Sequence, residues 1–401
     1  MMIRIPCTIV ALALVGAAHA GAGPVPVRQY ILEQQWEVRD DTTSFVLGSI
    51  EDVVVDSAGC TYVLDTRAVA VLVFSRTGEF LRTIGREGDG PGELRAPGSL
   101  FLADGNLLGV VSKRLGRVEY LDRTDGAPRA SARLESLGSV VASAGQAHWL
   151  PGGNALVALV AEADGVVFPD WTWRLLTFDD PVTDDTLVPA GVVAQVGRCA
   201  GIAAEREEYF ALWSPWTILG DGTIVFAPDW RTPVLEFRDR NGKRMGGLEL
   251  PIPAINRTEE QRRRFVDLLC GGVDPSDLGV QVELEQHEPR IRSVASRADD
   301  ELWIRTGASG HGIAAGVIRR YLVCRRDGSD LHYGELRGAG DDFVDRICFG
   351  PGDLVVIVHG AEGYIADHHG RSPTESGSPP RIVGYRMRAP QTSEPAHGPQ
   401  D

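Results

Sequence analysis

A tight turn followed by a β-forming run recurs six times along the chain, and no other feature limits its possible folds as strongly. Asp56-Ser57-Ala58-Gly59 leads into Cys60-Thr61-Tyr62-Val63-Leu64, and Asp104-Gly105 into Asn106-Leu107-Leu108. Gly152-Gly153 leads into Asn154-Ala155-Leu156-Val157, and Asp221-Gly222 into Thr223-Ile224-Val225-Phe226. Asp299-Asp300 leads into Glu301-Leu302-Trp303-Ile304, and Gly352-Asp353 into Leu354-Val355-Val356-Ile357. Asp and Gly suit the positive-φ turns that join antiparallel strands. An apolar run precedes each turn, as in Val53-Val54-Val55 or Leu100-Phe101-Leu102. A third run follows, for example Val71-Leu72-Val73-Phe74, Val234-Leu235-Glu236-Phe237 or Tyr321-Leu322-Val323-Cys324, and a fourth such as Phe80-Leu81-Arg82-Thr83-Ile84 completes the module.

Four short antiparallel strands at a period near ~45 residues describe a propeller blade, and an apolar period near two excludes helical solenoids. The expected fold is therefore all-β, a six-bladed β-propeller of four-stranded blades. Its ends supply a check. The sixth module stops at a third strand, Arg381-Ile382-Val383-Gly384-Tyr385, with no fourth behind it. Residues 30–38 (Tyr30-Ile31-Leu32-Glu33-Gln34-Gln35-Trp36-Glu37-Val38) precede the first module and have no other role. The N-terminal strand is thus expected to become the outer strand of the last blade, which leaves only short protected edges. Extra residues fall in the middle of the chain. Thr258-Glu259-Glu260-Gln261 reads as a capping box, with Gly271 as a stop signal, so a short inserted helix is expected near 258–270.

Residues 1–20 read as a signal peptide: Arg4 gives a positive start, an apolar run follows, and Ala18-His19-Ala20 supplies small residues for cleavage before Gly21. The product is expected in a periplasm or the medium. The remaining divisions are a linker over 21–29, the propeller over 30–388 and a disordered tail over 389–401. No later segment approaches the ~20 apolar residues that cross a bilayer, so no membrane span is expected. A net charge of −15 repels phosphate backbones, and a nucleic-acid partner is not expected.

Loss of Cys7 with the signal peptide leaves five cysteines, an odd number without zinc spacing. Cys199 and Cys270 fall in the long connections flanking the fourth blade and are expected to form a disulfide. Cys60, Cys324 and Cys348 lie in predicted strands as free thiols.

Residues 53–93 resemble the NHL-type repeat of bacterial six-bladed propellers. The resemblance is carried by Asp56, Gly59, Tyr62-Val63, Asp65, Val73-Phe74, Gly78-Glu79-Phe80 and Gly85, then Gly88-Asp89-Gly90-Pro91-Gly92-Glu93-Leu94. It implies a ring around a central channel. It implies no single function, since members include scaffolds, ligand binders and a few enzymes.

Chemistry in such a ring is expected at the channel mouth, where the loops joining strands two and three meet those joining blade to blade. Those loops carry Arg67, Arg114, Trp230, Arg231, His311 and His359, with His287 on the connection entering blade five. Trp230 beside Arg231 could stack a sugar or clamp a peptide. Six of the eight Trp fall in blades three and four, which singles out that side, although packing between blades is the plainer reading of the cluster as a whole. The histidines suggest a metal or general-base cluster, against which stands the plainer reading of solvated loop residues. No nucleophile elbow or phosphate-cradling loop is present, and the sequence names no cofactor and no metal. The expected function is an exported binding or interaction scaffold taking a small molecule, glycan or peptide. The alternative is a metal-assisted lyase or lactonase acting at the mouth.

Overall fold

Runs of β-branched and aromatic residues broken by Gly and Asp turns pair first with their nearest neighbours, and here that local pairing builds six four-stranded blades among the described residues. The computed structural model describes residues 25–392 apart from 41–43, 114–115, 136–139, 153–154, 165–169, 180, 184, 200–213, 271–273, 278–283, 299, 311–312, 341–344, 361–379 and 389. The chain opens with β1 (Val27–Val38). Blade 1 comprises β2 (Ile50–Val55), β3 (Thr61–Asp65), β4 (Ala70–Phe74) and β5 (Phe80–Ile84). Blade 2 comprises β6 (Pro97–Ala103), β7 (Leu107–Ser112), β8 (Arg117–Asp122) and β9 (Pro128–Leu134). Blade 3 comprises β10 (Val140–Leu150), β11 (Ala155–Asp164), β12 (Asp170–Asp179) and β14 (Pro189–Cys199), while the two-residue β13 (Thr186–Leu187) pairs back onto β9. Blade 4 comprises β15 (Trp216–Ile218), β16 (Ile224–Phe226), β17 (Val234–Arg238) and β18 (Arg244–Glu249), and is followed by helix α1 (Glu259–Cys270). Blade 5 comprises β19 (Ile291–Arg297), β20 (Glu301–Thr306), β21 (Val317–Arg325) and β22 (His332–Arg337). Blade 6 comprises β23 (Arg346–Phe349), β24 (Leu354–His359) and β25 (Arg381–Met387), with β26 (Gln391–Thr392) beyond them.

The first strand of every blade lies innermost. Strand β2 touches β6 and β23, β6 touches β10, β10 touches β15, and β15 touches β19. Blades 5 and 6 are joined where Arg297 Nη2 of β19 donates to the Gly352 carbonyl at 2.7 Å. The core is divided to match, with one apolar cluster in each of the six gaps between blades. Strand β3 shows how a period of two serves this plan. It is buried along its whole length, with Tyr62 and Leu64 facing blade 2 and Val63 facing blade 6.

Closure is by β1, and it engages two blades. Residues 32–38 run antiparallel to β25 and supply the missing fourth strand of blade 6. Residues 27–31 run parallel to β22 of blade 5, so β1 stitches both blades into one continuous sheet. Trp36 locks the outer half by lying across Gly384 of β25 and against Gly78 of blade 1. A Cβ on Gly78 would sit 2.7 Å from the indole, and Gly78 also has φ of +80°. The inner half is held by Arg28 Nη1 to Asp330 at 3.0 Å and by Tyr30 to His332 at 3.0 Å.

The inserted helix starts where its capping box requires. Gln261 N donates to Thr258 Oγ1 at 3.2 Å, and Thr258 N donates to Gln261 Oε1 at 2.8 Å. Some expected boundaries shift. Residues 27–29 belong to β1 and not to a linker, because the parallel ladder with β22 gives them partners. Gln391 and Thr392, placed in the tail, pair with β1. Cys60 is a half-buried free thiol just before β3, and Cys324 and Cys348 are free within β21 and β23. Cys199 ends β14 and Cys270 ends α1, but their side chains lie outside the described residues, as does the rest of the signal and tail segments.

Candidate binding site at the channel mouth

Antiparallel order within blades puts the loops joining second and third strands at one end of the ring, together with the connections between blades. One blade breaks the level of that rim. The strands of blade 3 that form its sheet run to ten or eleven residues, against three to nine in the other blades apart from the twelve-residue β1 that two blades share. Ala144 N donates to the carbonyl of Lys113 in the mouth loop of blade 2 at 2.8 Å, which marks where β10 passes the rim. The four residues of β10 beyond it would rise roughly 13 Å at the usual advance per strand residue. Blade 3 therefore stands above the mouth as a wall.

At the foot of that wall lies Trp230, on the β16–β17 loop. It is half-buried and packs with Leu284 against the cluster shared by blades 3 and 4, which includes Trp173 and Trp216. The Arg231 guanidinium lies 4.8 Å from the Trp230 ring centroid and is held by Glu285 at 3.0 Å. Arg290 N donates to the Trp230 carbonyl at 2.8 Å, and Arg231 N donates to Asp229 Oδ1 at 2.6 Å. Loop and connection are thus tied together with the indole and guanidinium already stacked. The other described indoles of this sector are buried: Trp149, Trp173 and Trp216 are 9 %, 8 % and 1 % exposed. Trp171 also ends up in a strand, β12, but its side chain and Trp213 lie outside the described residues.

The remaining candidates do not converge. Arg67 is exposed on the β3–β4 loop, which is set by the buried Asp65 carboxylate. Asp65 accepts backbone hydrogen bonds from Gly48 (2.6 Å), Ser49 (3.0 Å), Arg67 (2.9 Å) and Ala68 (3.1 Å). His287 is exposed and forms a lone bridge with Asn256. His359 was expected on a mouth loop but is the last residue of β24, and it is buried. Its Nδ1–H donates to Asp345 at 2.7 Å, and its Nε2 lies 3.3 Å from the Tyr385 hydroxyl. Gly360 N caps the same carboxylate at 3.0 Å, and Arg319 Nη2 donates to the Asp345 carbonyl at 2.7 Å. This network occupies the gap between blades 5 and 6 and takes His359 away from any surface cluster. Arg114 and His311 lie outside the described residues. Among the described residues, no group of three or more His, Cys, Asp or Glu is placed to hold a metal ion.

Two groups on the channel wall escaped the sequence reading. Asp52 of β2 accepts from Ser99 Oγ (3.2 Å) and Leu100 N (2.8 Å) of blade 2, and from Arg346 Nη1 (3.2 Å) of blade 6. One carboxylate therefore ties three innermost strands together. Burial pushes Asp52 above the usual carboxylate range even though Arg346 pulls the other way. His148 of β10 meets Trp216 of β15 edge to face, with ring centroids 4.6 Å apart. Burial pushes His148 down to about 4 and keeps it neutral. Neither residue belongs to a motif; only the finding that β2 and β10 are innermost draws attention to them.

Clefts lie elsewhere on the ring. One of about 140 Å³ at the rim of blade 5 is lined by Ile255, Thr306 and Tyr333, among others. A larger one of about 220 Å³ opens on the opposite face, at the seam of blades 6 and 1, between Arg76, Thr77, Asp353 and Arg386. The cleft forms because it lies between the turns of two blades and not within either.

Comparison with a family model agrees with the architecture over part of the chain. A family model described as a 6-bladed beta-propeller matches residues 40–136. No curated protein matches the sequence. Among solved structures, regucalcin, a calcium-binding protein of Agrobacterium tumefaciens, is 11 % identical with a TM-score of 0.44, covering 91 % of this chain and 97 % of its own. Virginiamycin B lyase of Staphylococcus aureus is 12 % identical with a TM-score of 0.38, covering 83 % of this chain and 79 % of its own. The Cps50 propeller domain of Myceliophteria thermophila is 12 % identical with a TM-score of 0.41, covering 82 % and 83 %. At such low identity and superposition none of them informs the chemistry of this chain.

Proposed function

We propose that this protein is an exported β-propeller that binds a glycan, a peptide or another small molecule at the channel mouth, acting as a binding or interaction scaffold. Residues 1–20 serve as its cleaved signal peptide, and blade 1 carries an NHL-type repeat. The observation that supports this reading most directly is the Trp230–Arg231 pair. Its ring and guanidinium are stacked at 4.8 Å, braced by Glu285, and set beside the raised wall of blade 3. Aromatic and arginine side chains contribute most at recognition surfaces, and a braced pair loses little freedom when a ligand arrives. Stacking on Trp230 suits a sugar face or a planar peptide group, and Arg231 suits a carboxylate or carbonyl.

Trp230→Ala with Arg231→Ala tests the reading on the full mature chain. Neutral and acidic oligosaccharides and short peptides would be titrated while melting temperature and intrinsic fluorescence are followed. A ligand that stabilises the wild type and fails to stabilise the double variant, with the unliganded melting temperature within about 3 °C, is the expected result. A ligand bound equally by both proteins removes the assignment.

A further inference from the structure

We infer that the channel wall between blades 3 and 4 holds a second binding site, built on His148 and Trp216, for a neutral hydroxyl-bearing ligand such as a sugar. Three observations lead to it. His148 is partly exposed although Ala147, Trp149 and Leu150 beside it are buried. Strand β10 is the innermost strand of its blade, so the solvent that reaches His148 is that of the channel. Trp216 is 1 % exposed, yet its indole Nε1 has no hydrogen-bond partner among the described residues. The His148 ring makes no hydrogen bond among them, and its one ring contact there is with the indole of Trp216.

Buried polar groups in folded proteins are almost always paired, and an orphaned buried donor costs about 1–3 kcal/mol. A buried indole donor without a partner, on a ring 4.6 Å from an imidazole that solvent reaches, therefore defines a place that a ligand can complete. The chemistry of the pair selects the ligand. Indole Nε1–H only donates, and neutral imidazole offers one donor and one acceptor. A hydroxyl group both accepts and donates through a single oxygen, so it can serve both rings. A carboxylate could accept from both but leaves the imidazole acceptor unused, and an ammonium offers the indole nothing. Gln146, two residues before His148 on β10, adds an unpaired buried Oε1 among the described residues and so a further acceptor for a ligand hydroxyl. The site differs from the Trp230–Arg231 surface in charge and in depth, and does not depend on it.

The test is a titration of the mature protein, with histidine side chains ¹⁵N-labelled, using glucose, galactose, xylose and N-acetylglucosamine, with glucuronate and glucosamine as charged controls. Saturable shifts of the His148 ring signals with at least one neutral sugar are expected, with the charged analogue of that sugar at least about tenfold weaker. His148→Phe keeps the ring contact with Trp216 and should lose the binding, seen by indole fluorescence. The Trp230→Ala, Arg231→Ala double variant should keep the His148 shifts, which separates this site from the mouth surface. If no neutral sugar moves the His148 signals, or if His148→Phe binds as well as wild type, only water completes the pair and the inference fails.

Discussion

The hydroxyl of Tyr30 donates to Nε2 of His332 at 3.0 Å, across 302 residues of sequence and within a buried gap. The direction follows from the other ring nitrogen. Nδ1 lies 2.6 Å from the Asp330 carbonyl, which can only accept, so Nδ1 carries the proton. Burial lowers the pKa of His332, so the ring is neutral and Nε2 is left as an acceptor for Tyr30. This bond pins the strand that closes the ring to blade 5.

Replacing Tyr30 by Phe leaves Nε2 of His332 unpaired and should destabilise the protein by about 1–2 kcal/mol, measured by urea unfolding. Tyr30 also packs at a tilt against Trp303 with centroids 5.2 Å apart, and Phe preserves that contact. A loss within 0.3 kcal/mol of zero would show that the hydrogen bond contributes nothing net.

Gly384→Ala attacks the other half of the same strand. Its Cβ would run into the Trp36 indole, whose own shift is blocked by Gly78 and its neighbours. A cost of about 2–3 kcal/mol is expected, with the Trp36 emission moved to the red as the indole is pushed toward water. Unchanged stability would mean that Trp36 has room that the packing does not show.

Asp52→Ala should cost about 2–4 kcal/mol, because it strips Ser99 Oγ, Leu100 N and Arg346 of a shared acceptor at the ring axis. Asp52→Asn should recover part of that loss by keeping an acceptor oxygen. Equal effects of the two substitutions would indicate that the negative charge, and not the shape or a remaining acceptor oxygen, holds the three strands together.

Acid should weaken the fold through His148. Its pKa is depressed to about 4 in the folded protein, against an ordinary value of 6.5 once unfolded. Between those values the unfolded state binds the extra proton, so stability is unaffected above pH 6.5 and falls as pH drops toward 4. His332 shifts in the same direction and adds to the effect. His148→Gln should flatten the stability profile across that window by on the order of 1 kcal/mol, read from melting curves at fixed ionic strength. An unaltered profile would show that His148 titrates normally.

The sequence carried most of the architecture because blade formation is local. Turn, strand and pairing partner lie within one repeat, and turns at Gly59, Gly105, Gly222 and Gly352 all have positive φ. In blade 5 the left-handed residue is Ala298, just before the Asp299-Asp300 pair read as the turn, so the signal there was displaced by one residue. The strand-closing role of β1 was legible from counting. Its parallel pairing with β22 was not, since nothing local distinguishes a strand with one partner from a strand with two. Sites were harder. His359 follows five buried strand residues, and only the fold reveals that Asp345 and Tyr385 wait to pair with it. His148 lies in an ordinary strand whose importance comes from its innermost position, a property of the ring and not of the repeat.

The clasp made by β1 has a consequence for how the molecule is assembled in time. Glu37 and Arg381 meet across 344 residues, so the first strand to be synthesised waits for the last. Blades 1 to 4 can form as they emerge, since each needs only its own hairpins. Residues 27–38 meanwhile remain an unpaired edge, available to chaperones or to another chain. The slow step of maturation therefore belongs to closing the circle and not to building its parts, and a molecule halted one blade short would be the form most prone to associate with its neighbours.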